Sequence, residues 1–149
     1  MQQMIIKEKT FEKARKKINE NKNKQIIFSS YEDELNRKVL EKLKIDVLLL
    51  NQSGRKDFQK QRNSGFNQVL SKIAKNKEIL IGINLDEMIY SKGKEKADIL
   101  ARVRQNIKLC NKNKLRMKFF SEKYSRNLCD LRALGLVLRM PTWMTKTLN

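Results

Sequence analysis

The stretch Glu78-Ile-Leu-Ile-Gly-Ile-Asn84 decides how the rest of the chain is interpreted. It is a short apolar run with isoleucine at alternate positions and polar residues at both ends, which favours a β-strand covered on both faces. Asp46–Leu50 (DVLLL) has the same character, and Arg116–Ser121 (RMKFFS) is a third run of this kind. With the shorter runs Met4–Ile6 and Gln25–Phe28, the sequence predicts five strands.

Amphipathic segments separate these runs, and their apolar residues recur at the spacing of one helix face. Thr10, Ser64 and Asn127 are predicted N-caps, and Ser30 with Asp33 resembles a capping box. Leu85–Gly93 is predicted as a connection with about one helical turn, and Pro141 as the stop of the last helix. The predicted inward residues are Phe11, Ala14 and Ile18; Leu35, Val39 and Leu43; Phe66, Val69, Leu70, Ile73 and Ala74; Ala97, Leu100, Val103, Ile107 and Cys110 of the long helix Lys94–Asn113; and Leu128, Leu131, Leu134, Gly135 and Leu138.

Alternation of strands and helices predicts an α/β fold with a parallel sheet. A complete eight-unit barrel typically needs about 250 residues, whereas this chain has 149. We therefore expect about five parallel strands in a truncated or partial barrel, or in an open sheet. One proline, five glycines and the lack of a linker-like stretch predict that residues 1–149 form a single α/β domain.

The net charge of the chain limits the kinds of molecule that it is expected to bind. Lysine and arginine total 34 against 16 acidic residues, a formal net charge of +18, which attracts polyanions. Nucleic acid is the first expectation and an anionic membrane the second, while an A/T-rich genome would also favour lysine and asparagine, as in Asn19–Lys24. No run approaches the ~20 apolar residues of a membrane span. Because Met1–Thr10 also lacks the apolar core of a signal peptide, we expect a cytoplasmic protein.

The sequence contains no histidine and two cysteines. Without imidazole, most designs for a metal site, a general base or a catalytic triad fail, so we expect no catalytic and no metal-binding residue. Asp86 and Glu87 follow a predicted strand, but adjacent carboxylates do not converge on one point and no third ligand is evident. Cys110 and Cys129 both lie in apolar helical patterns and are expected to be reduced core residues.

Two polar segments follow predicted strands, at the edge of an α/β sheet where ligands bind. In the first, Arg55, Lys56, Arg62 and Asn67 are candidates for contact with phosphate or sugar oxygens. Gly65, near a helix start, would let the backbone approach a phosphate. The alternative is a solvated loop before an ordinary capped helix.

The second polar segment contains Arg126, which either pairs with Asp130 or contacts nucleic acid. The alternative is a capping network of Asn127 with Asp130, followed by Gly135 permitting close helix packing. Aromatic side chains outside the predicted core either stack on bases or pack at the surface: Phe58, Tyr90 and Tyr124. A row of cations on the long helix is left unassigned as a solvated face: Lys94, Lys96, Arg102, Arg104 and Lys108.

Four blocks between about Lys38 and Met140 occur in an order that resembles the archaeal ribonuclease P protein component 3 family, which is related to a eukaryotic ribonuclease P subunit. The chain departs from the family pattern at three positions: Asn63 stands where Asp is common, Leu128 where Pro is usual, and Arg139 where Gly is usual. The blocks are Arg62-Asn-Ser-Gly65-Phe-Asn67, Ile79-Leu-Ile-Gly82-Ile-Asn-Leu85, Lys118-Phe-Phe-Ser121, and Arg126-Asn-x-x-Asp130-Leu-Arg-Ala-Leu-Gly135-Leu-Val-Leu-x-Met140.

The resemblance implies a TIM-like barrel related to the polymerase and histidinol phosphatase (PHP) phosphoesterases, without their metal site. It also implies a Pop5-like protein partner and binding to ribonuclease P RNA, which removes the 5′ leader of precursor tRNA using Mg²⁺. The chain itself would bind no cofactor and would not be a catalyst. RNA contact is implied for Arg62, Asn67 and Arg126. The alternatives are a generic basic RNA-binding module of another ribonucleoprotein and a PHP-like phosphoesterase.

Overall fold

The computed structural model describes residues 2–148. Within that range, five strands and seven helices follow one another along the chain. Among these helices none combines the length and the apolar composition that a membrane crossing requires. The elements are β1 (Gln3–Lys7), α1 (Phe11–Glu20), β2 (Gln25–Ser29), α2 (Asp33–Lys42), β3 (Val47–Leu50), α3 (Gln68–Asn76), β4 (Leu80–Asn84), α4 (Leu85–Tyr90), α5 (Gly93–Lys112), β5 (Met117–Phe120), α6 (Leu128–Val137) and α7 (Thr142–Lys146).

The five strands form one parallel sheet in the order β1-β2-β3-β4-β5, so every strand pairs with its neighbours in sequence. Sequential order is that of a barrel, whereas a doubly wound sheet reverses its order at a switch point. Lys7 at the end of β1 pairs with Glu122, two residues after β5, at 2.6 Å. The sheet therefore curls enough to bring the ends of its outer strands together. The predicted partial barrel of five parallel strands is confirmed.

The two faces of the sheet are buried in different ways. On the outer face, strand residues such as Phe28, Leu48 and Ile81 pack with the helices in the main core. On the inner face a small cluster contains strand residues alone, including Ile27 and Val47, both fully buried. These side chains cover one another because the sheet is curled. The remaining members of the inner cluster are Ile5, Leu49, Leu80 and Phe120.

Two predicted helix starts are wrong. Asn67, not Ser64, caps α3, because the Ser64 hydroxyl points inward and accepts a hydrogen bond from Gln105 at 3.2 Å. The predicted capping box of Ser30 with Asp33 does not form. Helix α2 begins at Asp33 itself, after a cap at Glu32 that makes no side-chain bond.

The predicted inward faces are also corrected in three places. Val69 is 54% exposed, because the buried face of α3 is formed by Leu70, Ser71 and Ala74. Ala97 is exposed, while Ile99, absent from the predicted set, is fully buried. Cys110 is buried as expected, but Cys129 is exposed on the outer side of α6. Helix α7, which follows Pro141, was not predicted.

Three helices end on a residue with positive φ that is not glycine. These residues are Glu78, Lys114 and Arg139, with φ of 55°, 55° and 71°. After α6, the Met140 N–H donates to the Gly135 carbonyl at 2.8 Å, a bond that closes such a helix end. Left-handed backbone costs a residue with a Cβ roughly 1–2 kcal/mol. Each of these three residues is therefore less favourable than glycine for the stability of the fold.

Candidate nucleic-acid interface

The loop between β3 and α3, residues 51–67, is held by one buried side chain of α5. The guanidinium of Arg102, 4% exposed, donates to the Gln52 carbonyl, the Arg55 carbonyl and the Asp57 carboxylate, each at 2.9 Å. Two carbonyls and a carboxylate thus converge on one planar donor group, which suits the fixed fork of arginine. The prediction that Arg102 belongs to a solvated face of α5 is therefore wrong.

The Asp57 carboxylate makes several contacts that fix the same loop: it accepts from Arg102, from the Asn63 N–H and from Arg62. The hydrogen bond from Arg102 holds the pKa of Asp57 below its usual value; burial opposes this shift, and the Asn63 N–H at 2.9 Å and the nearby Arg62 guanidinium support it. Arg62 pairs with Asp57 at 2.9 Å and with Asp98 at 3.3 Å, yet its side chain is 42% exposed. Arg62 therefore keeps part of its donor surface for an outside ligand.

Arg55 has a structural position within the fold. Its guanidinium makes two 2.8 Å bonds to Asp33 and one of 2.7 Å to the Asn51 carbonyl, with its side chain only 9% exposed. Gly65, at φ 72°, lies against this pair, and a Cβ there would be 2.5 Å from Nη2 of Arg55. Glycine is required here by the ion pair and by the backbone. The space in which a phosphate was expected to approach Gly65 is filled by the pair.

The other residues predicted to contact RNA lie in two loops, one before α3 and one after β5. Arg62, Gly65 and Asn67 line one cavity of about 830 Å³. The Asn67 side chain also caps α3, accepting the Leu70 N–H at 2.9 Å. Lys56 is exposed in the same loop but does not line that cavity. Arg126 is exposed in the loop after β5, away from the others, and bonds to the carbonyl of its neighbour Ser125.

A neighbouring groove of about 560 Å³ runs along α5, and we call it the α5 groove. Arg104 and Lys108, one turn apart on α5, are exposed in it, and Arg139 reaches it from the end of α6. No carboxylate is among the described residues that line it. Apart from Arg62, its cations have no ion-pair partner within residues 2–148. Its five cations are Lys60, Arg62, Arg104, Lys108 and Arg139.

Sequence reasoning missed this groove as a site. The spacing of Arg104 and Lys108 was visible, but on an amphipathic helix it does not distinguish a binding face from a solvated one. Arg139 was noted only as a departure from a usual glycine. Its approach to α5 depends on the turn that ends α6, which no local pattern reveals.

The polar segment after β5 forms the helix cap that the sequence offered as the alternative to an Arg126–Asp130 pair. Asn127 caps α6 by accepting the Asp130 N–H at 2.8 Å, and Arg126 does not pair with Asp130. Gly135 is buried, and a Cβ on it would lie 2.8 Å from the Met140 sulfur and 3.2 Å from Thr145. The expectation that Gly135 permits close helix packing is confirmed.

The adjacent carboxylates after β4 tether two different loops. Asp86 accepts from the Ser121 hydroxyl at 2.5 Å and from three backbone N–H groups that follow it. Burial alone would raise the pKa of Asp86, but these hydrogen bonds outweigh it and the pKa lies below its usual value. Glu87 accepts from the Gln52 and Ser53 N–H groups. Among residues 2–148, no three His, Cys, Asp or Glu side chains are grouped to hold a metal ion.

Comparison with known proteins confirms the predicted resemblance. The chain is 29% identical over 150 residues to Ribonuclease P protein component 3 of Methanocaldococcus jannaschii, covering 97% of this chain and 62% of the relative. A chain in a cryo-EM structure of archaeal Ribonuclease P with mature tRNA matches with a TM-score of 0.80 and 27% identity, over 97% of this chain and 62% of that one. No family model matches.

These two matches extend the resemblance beyond Lys38–Met140 to nearly the whole chain. The chain spans somewhat less than two thirds of the length of either relative.

Replacing Arg102 tests the construction of the loop. In Arg102→Met, the Gln52 and Arg55 carbonyls lose their donor and Asp57 loses its strongest partner, so we expect a loss of roughly 3 kcal/mol in the free energy of unfolding. Urea unfolding measures it. Arg104→Met removes the same charge from an exposed position two residues away and should change stability by less than about 0.5 kcal/mol. Equal effects of the two substitutions would contradict the role given to Arg102.

Proposed function

We propose that this chain is a protein subunit of ribonuclease P, supporting RNA-catalysed removal of the 5′ leader from precursor tRNA in the cytoplasm. The observation that carries the proposal is the similarity to Ribonuclease P protein component 3, which extends over 97% of the chain. The α5 groove, with five cations and no acidic lining residue, supplies the chemistry that binding to RNA needs. In this proposal the RNA is the catalyst and uses Mg²⁺, while the chain binds no cofactor.

The proposed mechanism is neutralisation of phosphates. RNA helices repel each other through their backbones, and fixed cations placed between them reduce that repulsion. Each phosphate neutralised also releases a counterion, with a slope in log[salt] of about −0.9 per contact for duplex and −0.7 for single strands. Arg104, Lys108 and Arg139 are suited to this role, because they hold their charge at the surface without an internal partner. The RNA fold would then need less Mg²⁺.

The candidates from the sequence take unequal parts in this proposal. Arg62 lines both the larger cavity and the α5 groove, so it has the strongest case for RNA contact. Lys56, Asn67 and Arg126 are exposed and stay proposed contacts. Arg55 is proposed to act through the shape of the loop, because its guanidinium is committed to Asp33 and to a backbone carbonyl.

A Pop5-like protein partner is part of the same proposal, and α6 supports a place for it. Besides its inward face, α6 has a second apolar stripe that faces solvent, with Leu136 57% and Val137 67% exposed. A helix that is apolar on both sides is normally covered on both sides. Aliphatic side chains gain little from a polyanion, which favours a protein over RNA as the occupant. The stripe, at spacing i, i+4, i+7 and i+8, is Cys129, Ala133, Leu136 and Val137.

Cleavage of precursor tRNA by the cognate RNA, titrated with Mg²⁺, tests the function. We expect this chain with its partner to lower the Mg²⁺ requirement, and Arg104→Glu/Lys108→Glu to restore a requirement close to that of the RNA alone. Lys13→Glu/Lys16→Glu, an equal change in net charge on the exposed side of α1, should retain the effect of the unaltered chain.

The two ways in which this test can fail have different meanings. If the Mg²⁺ curves with and without the chain coincide while RNA of any sequence binds equally well, the chain is a generic basic module and not a subunit. If both double variants lose the effect to the same extent, net charge matters and the α5 groove does not.

Arg139→Gly should have opposite effects on stability and on RNA binding. Glycine relieves the left-handed backbone at φ 71° and should raise the free energy of unfolding by about 1 kcal/mol. The same substitution removes a groove cation, so RNA affinity should fall and its salt slope should become shallower by about 0.7–0.9. Lys114→Gly, which relieves φ 55° outside the α5 groove, is the matched control. It should keep its RNA salt slope; an equal slope change in both variants would refute the groove assignment.

Val137→Asp tests the α6 stripe. It places a charge at the most exposed apolar residue of the proposed protein contact, so affinity for the Pop5-like partner, measured by calorimetry, should fall about tenfold or more. Val69→Asp makes the same substitution at an exposed position of α3 and should leave the affinity unchanged. Both variants should stay folded, since each valine is more than half exposed. If the partner binds Val137→Asp as tightly as it binds the unaltered chain, its contact surface does not include the α6 stripe.

A further inference from the structure

The three tyrosines of the chain line one cavity, although they come from three different connections. Tyr31 follows β2, Tyr90 ends α4, and Tyr124 follows β5. The cavity, of about 1070 Å³, lies where the parallel strands have their carboxyl ends. Phosphate neutralisation in the α5 groove makes no use of these rings, and none of the three lines that groove.

The rings are placed for contact with an outside molecule and not for support of the core. Tyr31 is 68% exposed and Tyr90 is 76% exposed, the latter value being the largest among the exposed large apolar and aromatic side chains. Tyr124 is half-buried. Rings exposed to this extent gain little from the fold itself, whereas a flat ligand can cover them.

The lining of the cavity contains three lysines and four carboxylates, and three of these carboxylates are already bonded within the protein. Asp86 and Glu87 line it, but their oxygens already accept hydrogen bonds from the loops that follow β5 and β3. Glu122 pairs with Lys7. Lys92 and Lys123 also line the cavity, and neither has an ion-pair partner in the described part of the chain. Glu95 is the remaining carboxylate of the lining, and it is exposed to solvent.

We propose that this cavity binds unpaired RNA nucleotides, with bases stacked on Tyr31, Tyr90 and Tyr124 and phosphates near Lys92 and Lys123. Aromatic side chains stack on any base, and bases become available for stacking where RNA is single-stranded. The inference rests on the proposed function and extends it. The α5 groove takes the backbone of folded RNA, whereas this cavity takes a segment that is not paired. An unpaired segment of the catalytic RNA and the single-stranded leader of the precursor share this chemistry.

The experiment uses the full chain and a fluorescently labelled five-nucleotide RNA at a salt concentration that weakens phosphate contacts. An RNA of the same length whose sugars carry no bases is the second probe. We expect Tyr31→Ala/Tyr90→Ala to raise the dissociation constant for the first probe roughly 5- to 150-fold for each stacked base lost. Tyr31→Phe/Tyr90→Phe keeps the rings and should bind within about twofold of the unaltered chain.

The baseless probe should bind the unaltered chain at least as weakly as the normal probe binds the double alanine variant, which keeps Tyr124. The inference is overturned if the baseless probe binds as well as the normal one, or if the alanine variant binds like its parent. Far-ultraviolet circular dichroism checks that each variant is folded, and Tyr90→Ala alone, at the most exposed of the three rings, repeats the test with the smallest change.

Two further arms identify the source of the segment in the assembled enzyme. If the double alanine variant weakens precursor binding with a leader but not without one, the cavity holds the leader. If the loss is independent of the leader, it holds an unpaired part of the catalytic RNA; both results support the inference. Arg104→Glu/Lys108→Glu reports on the proposed function separately, so a cavity that binds no RNA would leave the Mg²⁺ result of that variant intact.

Discussion

The buried guanidinium of Arg102 is the constraint on which the candidate nucleic-acid interface of this molecule depends. A seventeen-residue loop without regular structure connects β3 to α3, and few apolar residues in it can pack. Its order comes from polar bonds that end on α5, chiefly those from Arg102 to two carbonyls and the Asp57 carboxylate. A buried charge of this kind is tolerated when its donors are satisfied and is costly when they are not. The position of the loop is thus fixed by helix α5, which also carries the cations of the groove.

Arginine has two separate uses in this chain. Arg55 and Arg102 are nearly buried, with their donors taken by protein oxygens, and Gly65 leaves the space that the Arg55–Asp33 pair requires. Arg104 and Arg139 are exposed in a groove with no acidic side chain among its described lining residues. A count of positive charges therefore overstates the surface available to phosphate. The charges that can meet a polyanion are those without an internal partner, and within residues 2–148 four of these line the α5 groove.

Much of the fold could be predicted from the sequence, because buried parallel strands have short continuous apolar runs. EILIGIN and DVLLL gave β4 and β3 within two residues at each end. The helix faces were predicted less well. On α3, Ser64 was predicted as the cap in place of Asn67, and Val69 was predicted to face inward although it is exposed. On α6 both sides are apolar, so the pattern could not say that Cys129 faces outward. Arg102 escaped detection because a buried arginine at a core position looks like a surface residue in any hydrophobic pattern.

The site was harder to predict than the fold, because its residues are brought together by tertiary contacts. Arg62 was identified because it lies in a polar loop after a strand, a local signal. Arg139 joins the groove through the turn after α6, and it does so with a left-handed backbone that glycine would adopt at lower cost. Glu78 and Lys114 have the same backbone at other helix ends, so the conformation alone does not mark a site. What distinguishes Arg139 is that its charge lies beside Arg104 and Lys108 with no carboxylate among the lining residues. Left-handed backbone at Arg139 and a lining with cations but no carboxylate are independent observations, and their coincidence favours a binding role for this turn.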